Sequence, residues 1–234
     1  MNWNTVLRDR LDKFSGRDEK DSIKGYAIEQ FGKELGPLFY DLWLQLDDIE
    51  VAFRIYESLF VAESNKAILR KNSRIFWDYM SRFVSDYLLM ALARITESPR
   101  GGSRVTIRRL PSFFEDDLKK KKVQAYIKGI VEETSIIREY RHKSIAHRDR
   151  GVHIDGNDLP LVPLESIENT ISRIKDLLRE ISSDNTWIDD REHKFAYTTG
   201  DRFVRQLEYL TWVDENYKKN QSEGIPMPSL DEYQ

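Results

Sequence analysis

The chain has four histidines, His142, His147, His153 and His193, and two of them fall in the segment Tyr140–Asp149, YRHKSIAHRD. Histidine titrates near neutral pH and can move protons, while arginine carries a fixed charge and grips a phosphate with two donors. Together they are a minimal kit for cleaving RNA without a metal. One group deprotonates the ribose 2′-hydroxyl, and the cation stabilises the extra charge on phosphorus in the transition state. The competing reading of an Arg/His cluster at a helix end is a C-terminal cap, in which cations meet the helix dipole.

Spacing constrains the chemistry. Arg141 and His147 are six residues apart, which on a regular helix places them about 120° from each other. Either the helix ends near Ala146 and His147 turns back, or two chains build the site about a two-fold axis. The geometry therefore favours a dimer if the motif is catalytic. His142 and His147 lie about 140° apart on such a helix, a poor pair for one metal ion. No Walker loop, dinucleotide fingerprint or His-Glu-x-x-His motif is present. No metal or other cofactor is expected.

The elements that must hold these residues are helices. The seven prolines leave three long proline-free stretches, 38–98, 112–159 and 164–225, where long helices are permitted. Apolar residues recur at three-and-four spacing from Phe76 through Tyr79, Phe83, Tyr87 and Ala91 to Ile95, stopping at Glu97-Ser98-Pro99. The same period runs from Val123 through Ile127, Ile130 and Ile137 to Ser144 or Ile145, and from Leu164 to Ile181. Leu38–Phe60 and roughly Arg202–Lys218 complete the set. Extended signals are few: Val105–Ile107 alternates, and Val152–Val162 could form a small hairpin. The fold class predicted is all-α, an antiparallel bundle of long helices with short loops. Residues 1–32 read as an N-terminal helical extension, 33–221 as one helical domain, and 222–234 as a loose tail.

Composition narrows the function. With 234 residues, 40% hydrophobic and 12% aromatic, the chain can bury a core without staples. It has no cysteine, which excludes a disulfide framework and a thiolate nucleophile and fits a reducing compartment. No stretch reaches membrane-spanning length, and Met1–Lys13 lacks the apolar core of a secretory leader. A cytoplasmic protein without membrane association is expected. The net charge of −3 hides an asymmetry. Residues 100–150 hold 14 Lys and Arg against 7 Asp and Glu, while the remainder holds 23 against 33. A basic segment rides on an acidic body, the footprint of a phosphate-backbone partner or of a solvated helix face. The candidate RNA contacts are Lys119, Lys120, Lys121, Lys122, Lys143 and Arg148. Glu139 can pair with Lys143 at i,i+4. Arg94 reads as a structural residue held by an acidic partner, and His153 and His193 as surface residues.

Arg141-His142-Lys-Ser-Ile-Ala-His147 resembles the motif of the HEPN superfamily. In that motif an arginine and a polar residue precede a histidine, with four to six residues between arginine and histidine; five intervene here. Leu88–Glu97, LLMALARITE, resembles the helix and acidic loop that precede the motif in the abortive-infection AbiU-like branch, and Ile145–Asp149 resembles that branch's helix ending. The order of elements is similar over roughly residues 38–183. The resemblance implies a helical bundle that dimerises across the motif helices. It also implies a metal-independent endoribonuclease, often of toxin–antitoxin or phage-defence systems, so a homodimer, RNA and an antitoxin protein are the partners it suggests. Carried over, Arg141 would stabilise the phosphate and His147 would act as general base or acid. His142 takes the polar position where many members carry Asn or Asp. The rival readings are a non-catalytic HEPN module that binds RNA or a protein, and a helical scaffold in which the cluster only caps a helix.

Overall fold

The computed structural model describes residues 17–99, 104–146, 160–182 and 194–223, and all regular structure among them is helical. The elements are α1 (Arg17–Phe60), α2 (Glu63–Ile95), a 3-10 turn (Ile107–Phe113), α3 (Asp117–Glu133), α4 (Ser135–Tyr140), a π turn (Arg141–Ala146), α5 (Leu164–Ile181) and α6 (Lys194–Glu223). None of these helices is long and apolar enough to cross a membrane.

Two of the long helices are broken where the residue types allow it. In α1 Gly32 takes φ 80° and ψ 172°, a left-handed conformation that glycine adopts without a Cβ clash. The chain then doubles back so closely that a Cβ at Gly36 would lie 2.6 Å from the Ala27 carbonyl oxygen. Pro37 follows in the turn after the break, so α1 contains a proline without the long helix from Leu38 being interrupted. In α2 Ser73 is extended, at φ −167° and ψ 88°. The helix that matters for the core therefore starts at Arg74, close to where the apolar period begins.

The core gathers the stripes read from the sequence. Leu42, Leu46, Ile49 and Phe53 of α1 meet Leu88, Leu92 and Ile95 of α2, Ile127 and Ile130 of α3, Ile137 of α4 and Ile171, Ile174 and Leu178 of α5. A smaller cluster of Phe60, Leu69 and Val204 docks α6 on the joint between α1 and α2, with Trp77 and Phe203 in edge contact at 5.7 Å. Toward its end α2 is buried nearly all round, with Leu88, Leu89, Ala91, Leu92, Ala93 and Ile95 in the core. Met90 and Arg94 are the exceptions and are exposed. The expectation that an acidic partner buries Arg94 is corrected: its neighbours on both sides face the core, which turns Arg94 to solvent.

Earlier on α2 the pattern is different. Ile75, Phe76, Tyr79, Phe83, Tyr87 and Met90 are between 40% and 74% exposed. Half of the three-and-four stripe on this helix is thus surface, an apolar ridge along the outside of the bundle. Val105–Ile107 forms no strand; Thr106 caps the 3-10 turn, its hydroxyl accepting from the Arg108 N–H. The hairpin expected at 152–162 falls outside the described residues except for its last three, which carry no strand.

Candidate functional site

Three polar threonines anchor the loops that build the site. Thr96, buried at the end of α2, donates its hydroxyl to the Leu92 carbonyl at 2.8 Å. The hydroxyl of buried Thr106 lies 2.9 Å from the Ile95 carbonyl and 2.8 Å from that of Glu97. Thr134, the single-residue joint between α3 and α4, donates to the Ile130 carbonyl at 2.9 Å. A β-branched hydroxyl satisfied on the preceding turn ends a helix with no buried polar atom left over. These joints end α2 and α3, and α4 and the π turn pack against α2.

Arginines converge at that junction. Arg141, the first residue of the π turn, donates from Nη2 to Glu97 Oε1 at 3.2 Å, and the other carboxylate oxygen accepts from Arg104 Nη1 at 2.7 Å. Arg108 donates its Nε–H to the Thr96 carbonyl at 2.8 Å and Nη1 to Ser98 Oγ at 3.3 Å. Arg138 donates to Thr134 Oγ1 and to the Val131 carbonyl, each at 2.6 Å. Burial, then the Arg108 guanidinium, then that of Arg141, push the Arg138 pKa below the ordinary arginine value. Like charges close enough to do this are held against their repulsion. Arginine stays protonated near neutral pH, so these charges persist at the junction. Glu97 pairs with Arg104 and Arg141, while Arg108 and Arg138 are held by neutral oxygens. The Arg141 Nε is buried and meets no acceptor among the described residues; a buried donor without a partner costs free energy, about 1–3 kcal/mol.

Arg141–Ala146 closes with wider i→i+5 turns, and these are the last described residues of the motif. His147 and Arg148 lie outside the described residues. His142 is exposed beside Arg141 on the same turn.

The cations expected to bind RNA divide. Lys143 is paired with Glu139 at 2.7 Å, the i,i+4 pair read from the sequence. Lys122 is paired with Glu180 of α5 at 2.5 Å, and the Lys119 ammonium lies 5.1 Å from the centre of the Phe114 ring. Lys121 is exposed, and Lys120 lines a groove beside the 3-10 turn. The acidic residues of α3 are surface partners: Glu132 lies 3.8 Å from Lys128, and Glu133 pairs with Arg173.

The cations brought to the motif are instead Arg108 and Arg138, with Glu97 as their anionic neighbour. They were in the sequence as part of a basic set, without a reason to rank them above the lysine run. The available signal was the order of helix stop and helix end, which a bundle brings together in space. Arg138 also settles what caps α3, because it reaches back to the last-turn carbonyl of Val131. Among the described residues no three His, Asp or Glu side chains are grouped to hold a metal ion.

No curated protein and no solved structure matches the chain. A family model does, that of the AbiU2 HEPN domain, over residues 32–190, which takes in α1 after the Gly32 break, α2, the arginine junction, the motif and α5. That span covers well over half of the chain and every element of the main core, and the chain belongs to the AbiU2 family of HEPN domains.

Proposed function

We propose that this chain is a metal-independent endoribonuclease of the toxin or phage-defence type, acting on RNA as a homodimer. The observation that carries the reading is the gathering of Arg108, Arg138 and Arg141 at the motif, where Arg141 pairs with the Glu97 carboxylate. The ribose 2′-oxygen attacks phosphorus, and the bond from phosphorus to the 5′-oxygen breaks. A base takes the 2′-hydroxyl proton and an acid returns one to the leaving 5′-oxygen, and the HEPN resemblance gives His147 one of these two roles. Arg141 meets the charge that builds on the phosphoryl oxygens. The products are a 2′,3′-cyclic phosphate and a 5′-hydroxyl.

The test is cleavage of total RNA and transfer RNA in EDTA by the wild type, Arg141→Ala and His147→Ala. A positioned acid–base group is worth about 10²–10⁴ in rate. An electrostatic donor to the transition state is worth about 10²–10³. Each variant is expected to be nearly inactive, and the double variant little worse, since the two groups act as one unit. A 2′-deoxy substitution at the cleaved position is expected to block the reaction. Cleavage of the deoxy substrate, or wild-type rate in His147→Ala, would overturn the reading.

A second reading has its own observation. Arg141 is held by Glu97, as it would be in a HEPN module that binds RNA without cleaving it. Binding without cleavage in the same assay selects that reading.

A further inference from the structure

A groove of about 470 Å³ runs along one face of α3, walled on the other side by the 3-10 turn. Its α3 wall is Lys120, Gln124, Ile127, Lys128 and Val131, and its opposite wall is Arg108, Pro111 and Ser112. The α3 residues follow i, i+4, i+7, i+8 and i+11, a single helix face about 16 Å long. The groove is continuous with the arginine junction at two points. Arg108 is both a wall residue and a member of the cluster. Val131, at the far end, gives its carbonyl to Arg138.

We infer that this groove is a nucleotide subsite, in which the single-stranded RNA next to the scissile phosphate lies along α3. The inference rests on the ribonucleolytic reading of the arginine junction. Pro111 and Ile127 are buried and Val131 half-buried, so the floor is apolar, as a base face requires. Lys120, Lys128 and Arg108 stand along it as cations for successive phosphates. Hydrogen bonds to Thr96 and Ser98 occupy two of the five Arg108 N–H donors, which leaves an edge for a phosphate oxygen. Gln124, exposed at the middle of the face, offers an amide with a donor and an acceptor side by side, the pairing chemistry of a base edge. The Ser112 hydroxyl donates to the Arg109 carbonyl at 2.6 Å and keeps its oxygen as an acceptor. A protein ligand would gain little from so polar a wall, whereas a polynucleotide uses every group in it.

The experiment compares Lys128→Glu, which faces the groove, with Arg205→Glu, an exposed charge reversal on α6, which docks on the joint between α1 and α2. Binding of a fluorescein-labelled single-stranded RNA is read by anisotropy against salt in the Arg141→Ala background, with melting temperature as the folding control. Lys128→Glu is expected to weaken binding about tenfold and to lower the salt slope by about one. Arg205→Glu is expected to stay within about twofold, as a distant charge screened by salt does. Gln124→Leu in the active chain is expected to change which bases flank the cleaved bond, read by sequencing the product ends. Equal loss in the two charge reversals, or unchanged flanking bases in Gln124→Leu, overturns the groove and leaves the ribonuclease standing. Discrimination between the two charge reversals without any RNA cleavage keeps the groove and overturns the ribonuclease. No binding of single-stranded RNA overturns both.

Discussion

Glu97 is the residue on which the arginine junction turns. Its carboxylate holds Arg141 through one oxygen and Arg104 through the other, so it both orients the motif arginine and competes with any phosphate for it. Glu97→Gln removes that competition and weakens the orientation. RNA affinity is then expected to hold or rise while kcat falls about 10–10²-fold, the cost of a slightly misplaced group. Separate measurement of KM and kcat checks it; a fall in affinity with kcat intact would place Glu97 outside the site. Arg138 should behave differently. It uses its donors on Val131 and Thr134, so Arg138→Ala is expected to lower the melting temperature as well as RNA binding.

At the scale of elements, α2 carries the junction on its buried end. Leu92 is fully buried, and Leu92→Ala is expected to cost about 2–5 kcal/mol by chemical denaturation. The loss should act through Thr96 and Glu97, which follow within about a turn and a half. Much of this architecture was legible in the sequence. The stripes from Leu42 to Phe53 and from Ile167 to Ile181 name core residues almost one for one, because a bundle buries one face of each helix. The helix stop at Glu97-Ser98-Pro99 was also legible, since a proline and a buried threonine end the period there. Three things were not. The Ile75–Met90 stripe has the period of a core face yet is half surface, and periodicity says nothing of which face finds a neighbour. The division of Lys119–Lys122 among Phe114, a groove, solvent and Glu180 depends on α5 and the 3-10 turn. The convergence of Arg108 on Arg138 joins residues thirty positions apart. The motif was legible as a set of residue types, whereas its π geometry has no period to announce it.

At the scale of the molecule, charge and apolar surface divide the labour. Basic residues 100–150 against an acidic remainder orient an approaching polyanion, and RNA binding should weaken with salt by about 0.7 in log–log slope per phosphate neutralised. The α2 ridge suits a second copy of the chain. Its apolar residues Ile75, Tyr79, Phe83 and Tyr87 follow an i+4 row, the kind that packs into the grooves of another helix. Beside it runs the row Arg74, Asp78, Arg82, Asp86, with Arg74–Asp78 at 3.6 Å and Arg82–Asp86 at 3.8 Å. That alternation meets opposite charges only when the second helix is antiparallel. Phe83→Glu is expected to convert a dimer to a monomer by light scattering at micromolar concentration. Antiparallel pairing centred near residue 81 would leave Glu97 about 24 Å along the helix from the axis, and each chain would then complete its own site. Mixing Arg141→Ala with His147→Ala should then restore no activity. Recovery to about a quarter of wild type would instead mean that two chains share one cleft at the motif helices.

A π turn is an α-helix holding one residue too many. Arg141–Ala146 can therefore be regarded as an insertion that the helix has absorbed, and the absorbed residue can be taken out again. Deleting Lys143, which pairs with Glu139, would let the segment close as a regular helix. Everything after it would rotate by about 100° about the helix axis and move about 1.5 Å along it. The shortened chain is expected to melt at or above the wild-type temperature, since it trades a rare turn for a common one, and to cleave no RNA. A shortened chain that still cleaves would make the extra residue a passenger; one that folds and does not makes it the setting that aims the end of the motif.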